Sequence, residues 1–104
     1  MDVVFFNPRA KIFFNLLDRR MYARAVRGLE LLGKRGNSLG MPDSKAIGKG
    51  LFELRIVGIT NVRFIYAFHN SAVWILHAFE KKTDRILKSE LAYARKQQRL
   101  LASI

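Results

Sequence analysis

Residues 50–83 read GLFELRIVGITNVRFIYAFHNSAVWILHAFEKKT, and this stretch decides the fold. It contains three apolar runs of seven residues each, all rich in the β-branched and aromatic side chains that favour strands. The runs cover residues 51–57, 62–68 and 73–79. The gaps at 58–61 and 69–71 carry turn residues and are short enough for hairpins. We therefore predict three adjacent antiparallel strands.

Alternation of side chains divides each predicted strand between two faces of the sheet. In the first strand Phe52, Leu54 and Ile56 share a face, and the other face carries Glu53 and Arg55 among apolar residues. The second strand divides in the same way, with Arg63 on the mixed face. In the third strand the predicted faces are Val73, Ile75, His77 and Phe79 against Trp74, Leu76 and Ala78. We expect helices to cover one face, and the mixed face to bind a partner.

The residues before this stretch are predicted to supply one short strand and two helices. Residues 3–6 form an apolar run that we expect to pair with an edge of the sheet. Asn7 and Pro8 are typical of an N-cap and a first helical residue. Apolar residues at helical spacing predict a second helix at 22–34. The short connection between the two helices favours an antiparallel hairpin.

The remaining segments complete an α+β order. Residues 36–50 contain four glycines and one proline without periodicity, so we predict a loop there. An apolar stripe predicts a last, basic helix at 87–101. The order β-α-α-β-β-β-α indicates a small antiparallel sheet packed against an N-terminal helical hairpin, with a C-terminal helix. We expect residues 1–104 to form a single domain.

The charge of the chain indicates a polyanionic partner. Lys and Arg number 19 against 8 Asp and Glu, which gives a net charge of +11. The charge alone does not distinguish among nucleic acid, an acidic protein and an anionic membrane surface as that partner. There is no cysteine, and two histidines are too few for a convincing metal site, so we predict no metal and no cofactor. No apolar run is long enough to span a bilayer and no signal peptide is recognised, so we expect a soluble, cytoplasmic protein without membrane contact.

Four blocks of sequence, in order, resemble a known family. They are GKGLFELR, VRFIY, ILHAFEKKT and ELAYARKQ, preceded by ARAVRGLELLGKRG and LGMPDSKAIGKG. Together they resemble the RelE/ParE toxin superfamily, in its phage-derived Gp49-like or HigB-like branch. The resemblance covers nearly the whole chain and implies a RelE-like fold. It also implies the toxin of a toxin–antitoxin system, a metal-independent endoribonuclease that cuts mRNA on the ribosome and is neutralised by a cognate antitoxin.

The resemblance also implies which side chains act. It places Arg55, Arg63 and Lys81 or Lys82 in an RNA-binding concavity, with His77 as a further catalytic candidate. Two departures leave the acid/base pair open. Residues 86–87 are Ile-Leu where many relatives have Thr-Pro, and the final residues carry no tyrosine.

Metal-free cleavage of RNA needs a base for the 2′-OH, cations for the phosphate and an acid for the leaving oxygen. Arginine suits the second task because its planar fork grips phosphate oxygens and keeps its charge. A lysine beside other cations, or a histidine, suits proton transfer. Further basic residues are predicted to contact RNA: Lys45, Lys49, Arg85 and Lys88.

Other interpretations stay open at this point. Arg55 can simply pair with a neighbouring carboxylate, and His77 can be a buried histidine with satisfied hydrogen bonds. The same scaffold also suits a ParE-like gyrase inhibitor, or a non-catalytic basic module that binds RNA or the ribosome. The cluster of Arg and Lys argues against the gyrase inhibitor, but the fold does not fix the function.

Overall fold

The three apolar runs form three adjacent strands in the computed structural model, which describes residues 1–104. Two helices precede them and one helix follows, so the predicted α+β class is confirmed. The elements in chain order are β1 (Val3–Phe5), α1 (Pro8–Asn15), α2 (Arg19–Arg35), a 3-10 turn (Gly36–Ser38), β2 (Ser44–Gly48), β3 (Leu51–Val57), β4 (Asn61–His69), β5 (Ala72–Glu80) and α3 (Lys88–Ala102). None of the three helices combines the length and the apolar character that crossing a membrane requires.

The sheet has five strands in the order β1-β5-β4-β3-β2. The predicted hairpins β3–β4 and β4–β5 are antiparallel, with Arg55 opposite Arg63 and Ile65 opposite His77. The expected pairing of β1 with a sheet edge is confirmed, but β1 lies parallel to β5, with Val4 opposite Trp74. The sheet is therefore mixed, with one parallel pair and three antiparallel pairs. The parallel pair is possible because the connection from β1 to the other strands is long and contains both helices.

The prediction of a loop over residues 36–50 was wrong for residues 44–48. Residues 44–48 form β2, which pairs antiparallel with β3 and places Lys45 opposite Glu53. Three consecutive residues with positive φ, from Gly48 to Gly50, then turn the chain into β3. This strand has little apolar character of its own. It is held by backbone pairing and by a hydrogen bond between the hydroxyls of Ser44 and the buried Tyr66.

Helices α1 and α2 cover one face of the sheet, as predicted. Side-chain oxygens of Asn7 and Asp18 accept hydrogen bonds from the first turns, so α2 begins at Arg19, three residues before the predicted start. Buried side chains of both helices form the larger core with those of β3, β4 and β5. They include Phe14, Met21, Ala25 and Leu32 from the helices, and Leu54, Ile56, Phe64 and Tyr66 from the sheet.

Helix α3 lies on the opposite face of the sheet and builds a second core. Its residues Ala94 and Leu101 pack with Leu51, Ile65 and Leu76. Tyr93 and Glu90, nearer the start of the helix, lie beside His77. The mixed face is thus partly covered, and its charged residues lie at the end where α3 begins.

A β-bulge in β5 changes the face on which the predicted site residue His77 lies. The register shifts between Ile65 and Tyr66, which lie opposite His77 and Ile75, so Leu76 is an extra residue. The predicted alternation was therefore wrong beyond Ile75, and His77 and Phe79 lie on the α3 side. The Asn7 amide donates to the Leu76 carbonyl at 2.8 Å and to the Gln97 side chain at 3.1 Å, which ties the bulge to α3.

Candidate functional site

Strand register gathers the predicted cations on the α3 side of the sheet. Arg55 and Arg63 lie directly opposite each other on β3 and β4, and Arg63 lies opposite Phe79 on β5. The N–H of Lys81 donates to the Asn61 carbonyl at 2.7 Å, which continues the pairing beyond β5. Because side chains alternate, Lys81 projects from the same face as Phe79. Arg55, Arg63 and Lys81 thus approach one region from three segments of the chain.

A buried carboxylate lies between the two arginines. Glu53 and Arg63 are each 4% exposed. The two Glu53 oxygens lie 3.7 Å from Arg63 Nε and 3.9 Å from Arg55 Nε, close enough for ion pairs. Glu53 Oε2 and both Nε atoms nevertheless have no hydrogen-bond partner. This arginine–glutamate cluster (Glu53, Arg55 and Arg63) combines two positive charges with one negative charge, so one positive charge is left over.

The two arginines of this cluster differ in their access to solvent. The side chain of Arg63 is 5% exposed and that of Arg55 is 29% exposed. Burial lowers the pKa of Arg63, Glu53 opposes that shift and Arg55 adds to it. The guanidinium keeps its proton throughout the physiological range. Arg63 also donates to the Val62 carbonyl at 3.1 Å, whereas Arg55 reaches only the Met41 sulfur, at 3.8 Å. The extra charge is therefore carried on the accessible Arg55.

His77 forms a second, separate arrangement on β5. The residue is 1% exposed, and its Nε2 lies 3.1 Å from a carboxylate oxygen of Glu90 on α3. The ring packs against Phe79 and Tyr93, and the guanidinium of Arg9 lies 4.4 Å from the centre of the Tyr93 ring. Burial lowers the pKa of His77, partly offset by Glu90, while Arg9 lowers it further. The Nδ1 atom is buried without a partner.

The two adjacent lysines differ in their surroundings. Lys82 lines a cavity of about 470 Å³ beside α1, together with His77, Arg9 and Glu90. Lys81 does not line that cavity. Both lysines line a smaller cavity of about 90 Å³ with Arg85. Lys82 therefore connects the surroundings of His77 with the side chains of Lys81 and Arg85.

The predicted RNA-contacting residues are exposed, but they do not form one patch. Lys45 lies opposite Glu53, beside the arginine–glutamate cluster. Arg85 lies with the two lysines, and Lys88 opens α3. Lys49 lies in the turn before β3, at the far end of that strand from Arg55, where its carbonyl accepts from Gln98 at 2.6 Å. The structure therefore brings Lys45 and Arg85 close to the predicted catalytic cations and keeps Lys49 apart.

The model of the family described as Phage derived protein Gp49-like (DUF891) matches residues 12–99. The chain belongs to this Gp49-like family. The matched segment includes every predicted site residue and all of the arginine–glutamate cluster. A search of curated proteins finds no significant match to the chain.

The Gp49-like chain also contains interacting residues that sequence reasoning did not assign to the site. Glu53 lies in the segment GKGLFELR, two residues before Arg55. Residues i and i+2 of a strand share a face, so this spacing indicated that the two side chains lie together. Glu90 and Arg9 had no such signal, because they meet His77 and Tyr93 only through tertiary packing. No group of three or more histidine, aspartate and glutamate side chains is arranged to hold a metal ion.

Proposed function

We propose that this Gp49-like chain is a toxin of the RelE/HigB type, the toxic member of a toxin–antitoxin pair. Its proposed activity is metal-independent cleavage of mRNA on the ribosome, which inhibits translation in the cytoplasm. One observation carries the proposal: Arg55, Arg63 and Lys81 come from separate segments of the chain to one sheet face, where the two arginines flank a single buried carboxylate. The positive charge of Arg55 that Glu53 does not neutralise is preorganised and accessible, which suits it to bind an RNA phosphate.

The two arginines of the arginine–glutamate cluster have different roles in this proposal. Arg63 stays paired with Glu53 and neutralises it inside the protein, which leaves the guanidinium of Arg55 available to a phosphate. Arg55 and Lys81 then stabilise the negative charge that develops when the 2′-OH attacks the adjacent phosphorus. The 2′-OH gives its proton to the base, a new bond joins O2′ to phosphorus, the bond from phosphorus to O5′ breaks, and O5′ takes a proton from water. A preorganised donor of this kind contributes about 3–4 kcal/mol to the transition state.

His77 is the proposed proton acceptor. When Nε2 donates its hydrogen to Glu90, Nδ1 carries the lone pair, and that is the atom without a partner. The low pKa of the ring keeps this lone pair available at neutral pH. Lys82 and Arg9 line the same cavity together with the carboxylates of Glu80 and Glu90, and they offer two cations to a phosphate bound there. Because His77 is buried, we expect this base to act only when bound RNA, held by the ribosome, opens the cavity.

The proposed partners follow from the same charges. RNA and the ribosome present phosphates to the basic surface. The cognate antitoxin is proposed to cover the face that carries Arg55 or to wrap the domain, with acidic or helical segments.

Inducible expression in bacteria, with mapping of mRNA ends, tests the proposed activity. We expect the wild-type chain to stop growth and to leave cuts in the ribosomal A site. Arg55→Ala should abolish both effects, and Lys81→Ala should weaken them. Lys96→Ala is the matched control, because it removes an exposed cation of α3 that lines none of these cavities. Normal growth and intact message with the wild-type chain would overturn the nuclease proposal.

A non-catalytic basic module that binds RNA or the ribosome is the second candidate. The burial of both Arg63 and His77, at 4% and 1% exposure, favours it. This function requires salt-sensitive binding of RNA that leaves the RNA intact. Cleaved chromosomal DNA and an SOS response, without cuts in mRNA, would instead indicate a ParE-like gyrase inhibitor.

A further inference from the structure

A cationic cavity lies at the β3 edge of the sheet, away from the His77 cavity. It has a volume of about 350 Å³ and lies between α2, the segment before β2 and the last residues of β3. Arg24 and Arg27 of α2 and Arg55 of β3 line it, together with Pro42, Asp43 and Val57. We call it the α2-edge cavity. Arg55 therefore belongs both to this cavity and to the arginine–glutamate cluster.

The cavity exists because β2 is shorter than β3. Pairing between the two strands begins at Ser44 and Leu54, so residues 55–57 of β3 continue beyond their partner. The Arg55 N–H still donates to the Asp43 carbonyl at 2.8 Å, but β2 does not cover Val57. The carbonyl of Val57 accepts instead from Arg24 Nη1, at 3.3 Å. This bond places the Arg24 guanidinium beside the open strand end.

Two glycines bring the helix and its arginines close to the strand. A Cβ on Gly28 would lie 2.5 Å from the Cδ1 atom of Ile56, so the glycine permits a close approach of α2 to β3. A Cβ on Gly58 would lie 3.3 Å from both Cδ and Nε of Arg24. The side chain of Arg24 thus lies across the turn after β3. Arg27, one helical turn further along, faces the same cavity.

The charges of the cavity are poorly compensated. The ion pairs of the molecule involve only the carboxylates Glu53 and Glu90, so neither Arg24 nor Arg27 has an anionic partner within 4.0 Å. Asp43 is the only acidic side chain among the lining residues. The two guanidinium groups of α2 against the one carboxylate of Asp43 leave one net positive charge around a space open to solvent, and Arg55 beside it shares Glu53 with Arg63. Like charges held this close repel each other unless an anion lies between them.

We propose that the α2-edge cavity binds a backbone phosphate of the RNA, as a second contact site linked to the arginine–glutamate cluster through Arg55. The guanidinium fork matches phosphate oxygens in pairs, and its five N–H donors exceed what the protein uses here. Arg27 makes no hydrogen bond within the protein, and Arg24 makes a single long one. The RNA strand would then pass from Lys81 across Arg55 to α2. This inference rests on the proposed function, because it takes RNA as the ligand.

Salt-dependent binding of a labelled single-stranded RNA tests this site, measured by fluorescence anisotropy on the full chain. We compare the wild type with Arg24→Gln/Arg27→Gln and with a control, Arg19→Gln/Arg20→Gln. The control removes the same charge from the same helix, at positions that do not line the cavity. Losing one phosphate contact lowers the slope of log affinity against log salt by about 0.7 for single strands. We also expect the affinity at low salt to fall about tenfold in the cavity variant, as charged hydrogen bonds are lost.

The outcomes separate the site from the proposed function. A reduced slope in the cavity variant, with the wild-type slope in the control, supports the site. Equal slopes in the cavity variant and the wild type, with strong binding by both, overturn the site and leave the nuclease proposal intact. A wild-type chain that does not bind this RNA overturns the site, whereas the nuclease proposal is decided separately by growth arrest and cuts in mRNA. If the double variant loses stability, the single variant Arg27→Gln replaces it in the experiment, because it removes no internal hydrogen bond. We expect this single variant to show half or more of the change in slope.

Discussion

Replacing Arg63 with methionine tests whether the buried ion pair with Glu53 holds the site together. The Nε and Oε2 atoms lie 3.7 Å apart, and both side chains are 5% exposed. At that distance, with an effective dielectric constant near 20, the Coulomb attraction is about 4 kcal/mol. Removing one partner leaves a buried carboxylate without its main counterion. We therefore expect Arg63→Met to lower the free energy of unfolding by about 3–5 kcal/mol.

The same reasoning gives a much smaller cost for Arg55→Met. Its ion pair with Glu53 is longer, 3.9 Å, and its side chain is 29% exposed, so water screens the charge. We expect a loss of only about 0–1 kcal/mol. Arg55→Met should nevertheless abolish toxicity, because it removes the accessible cation. Arg63→Met should lose toxicity together with stability.

Equilibrium unfolding in urea measures both effects, and the double variant Glu53→Gln/Arg63→Met completes the comparison. Removing the whole pair leaves no uncompensated charge, so the double variant should recover most of the stability lost in Arg63→Met. In thermal unfolding the loss in Arg63→Met corresponds to a midpoint lowered by at least about 12 °C for a chain of this size. Equal stability losses in Arg55→Met and Arg63→Met, or a double variant no more stable than Arg63→Met, would refute this account of the cluster.

Three further predictions concern the polar side chains of His77, Tyr66 and Asn7. Burial lowers the pKa of His77, so the unfolded chain takes up a proton there before the folded chain does as the pH falls. The free energy of unfolding should therefore fall as the pH drops below about 6.5. In urea titrations at several pH values, His77→Gln should make this dependence on pH less steep. Burial raises the pKa of Tyr66, so the unfolded chain loses the phenolic proton first and stability should fall above about pH 10. Tyr66→Phe should remove this fall. At neutral pH the same variant should lose about 1 kcal/mol of stability, because the hydrogen bond to Ser44 is lost. Asn7→Ala should destabilise the chain by about 2–3 kcal/mol, against about 1 kcal/mol for Asp18→Ala, because Asn7 caps α1 and also bonds to Leu76 and Gln97. A larger cost for Asp18→Ala in thermal unfolding would contradict that order.

Local patterns were sufficient to predict the elements that bury their own apolar side chains. The run at 51–57 corresponds to β3 in full, and α3 begins and ends one residue later than predicted. The strand β2 was missed because its sequence, SKAIG, has one large apolar residue and ends at a glycine. Its pairing partner is β3, and backbone hydrogen bonds between strands have no signature in either sequence alone.

The candidate site was predictable only where it depends on simple alternation. Arg55 and Arg63 were expected to lie close together because both lie on the mixed faces of adjacent strands, and they lie opposite each other. The face on which His77 lies was not predictable, because the bulge at Leu76 reverses the alternation immediately before His77. That bulge is fixed by Asn7, which lies about 70 residues earlier in the chain. Contacts at such separation are decided by packing of the whole domain.

Folding alone does not account for the distribution of positive charge. Helix α2 carries six arginine or lysine residues and one glutamate. Arg19 and Arg20 lie in its first turn, where the helix dipole disfavours cations, and Arg20 and Arg24 are like charges one turn apart. The protein as a whole carries +11 within a radius of gyration of 12.5 Å, a self-repulsion that opposes compaction. These charges lower the stability of the free chain, and the proposed binding of a polyanion would offset that cost.

This argument predicts opposite effects of salt on stability and on binding. Raising sodium chloride from about 0.05 M to about 0.5 M shortens the screening length to a few ångströms and weakens repulsion between exposed cations. The midpoint of thermal unfolding of the free protein should therefore rise over this range, while its affinity for RNA falls. The variant Arg24→Gln/Arg27→Gln should show a smaller rise, since it has fewer like charges to screen. A midpoint that falls with added salt would mean that the ion pairs of Glu53 and Glu90 outweigh the repulsion, and that the surface arginines need no bound anion to offset them.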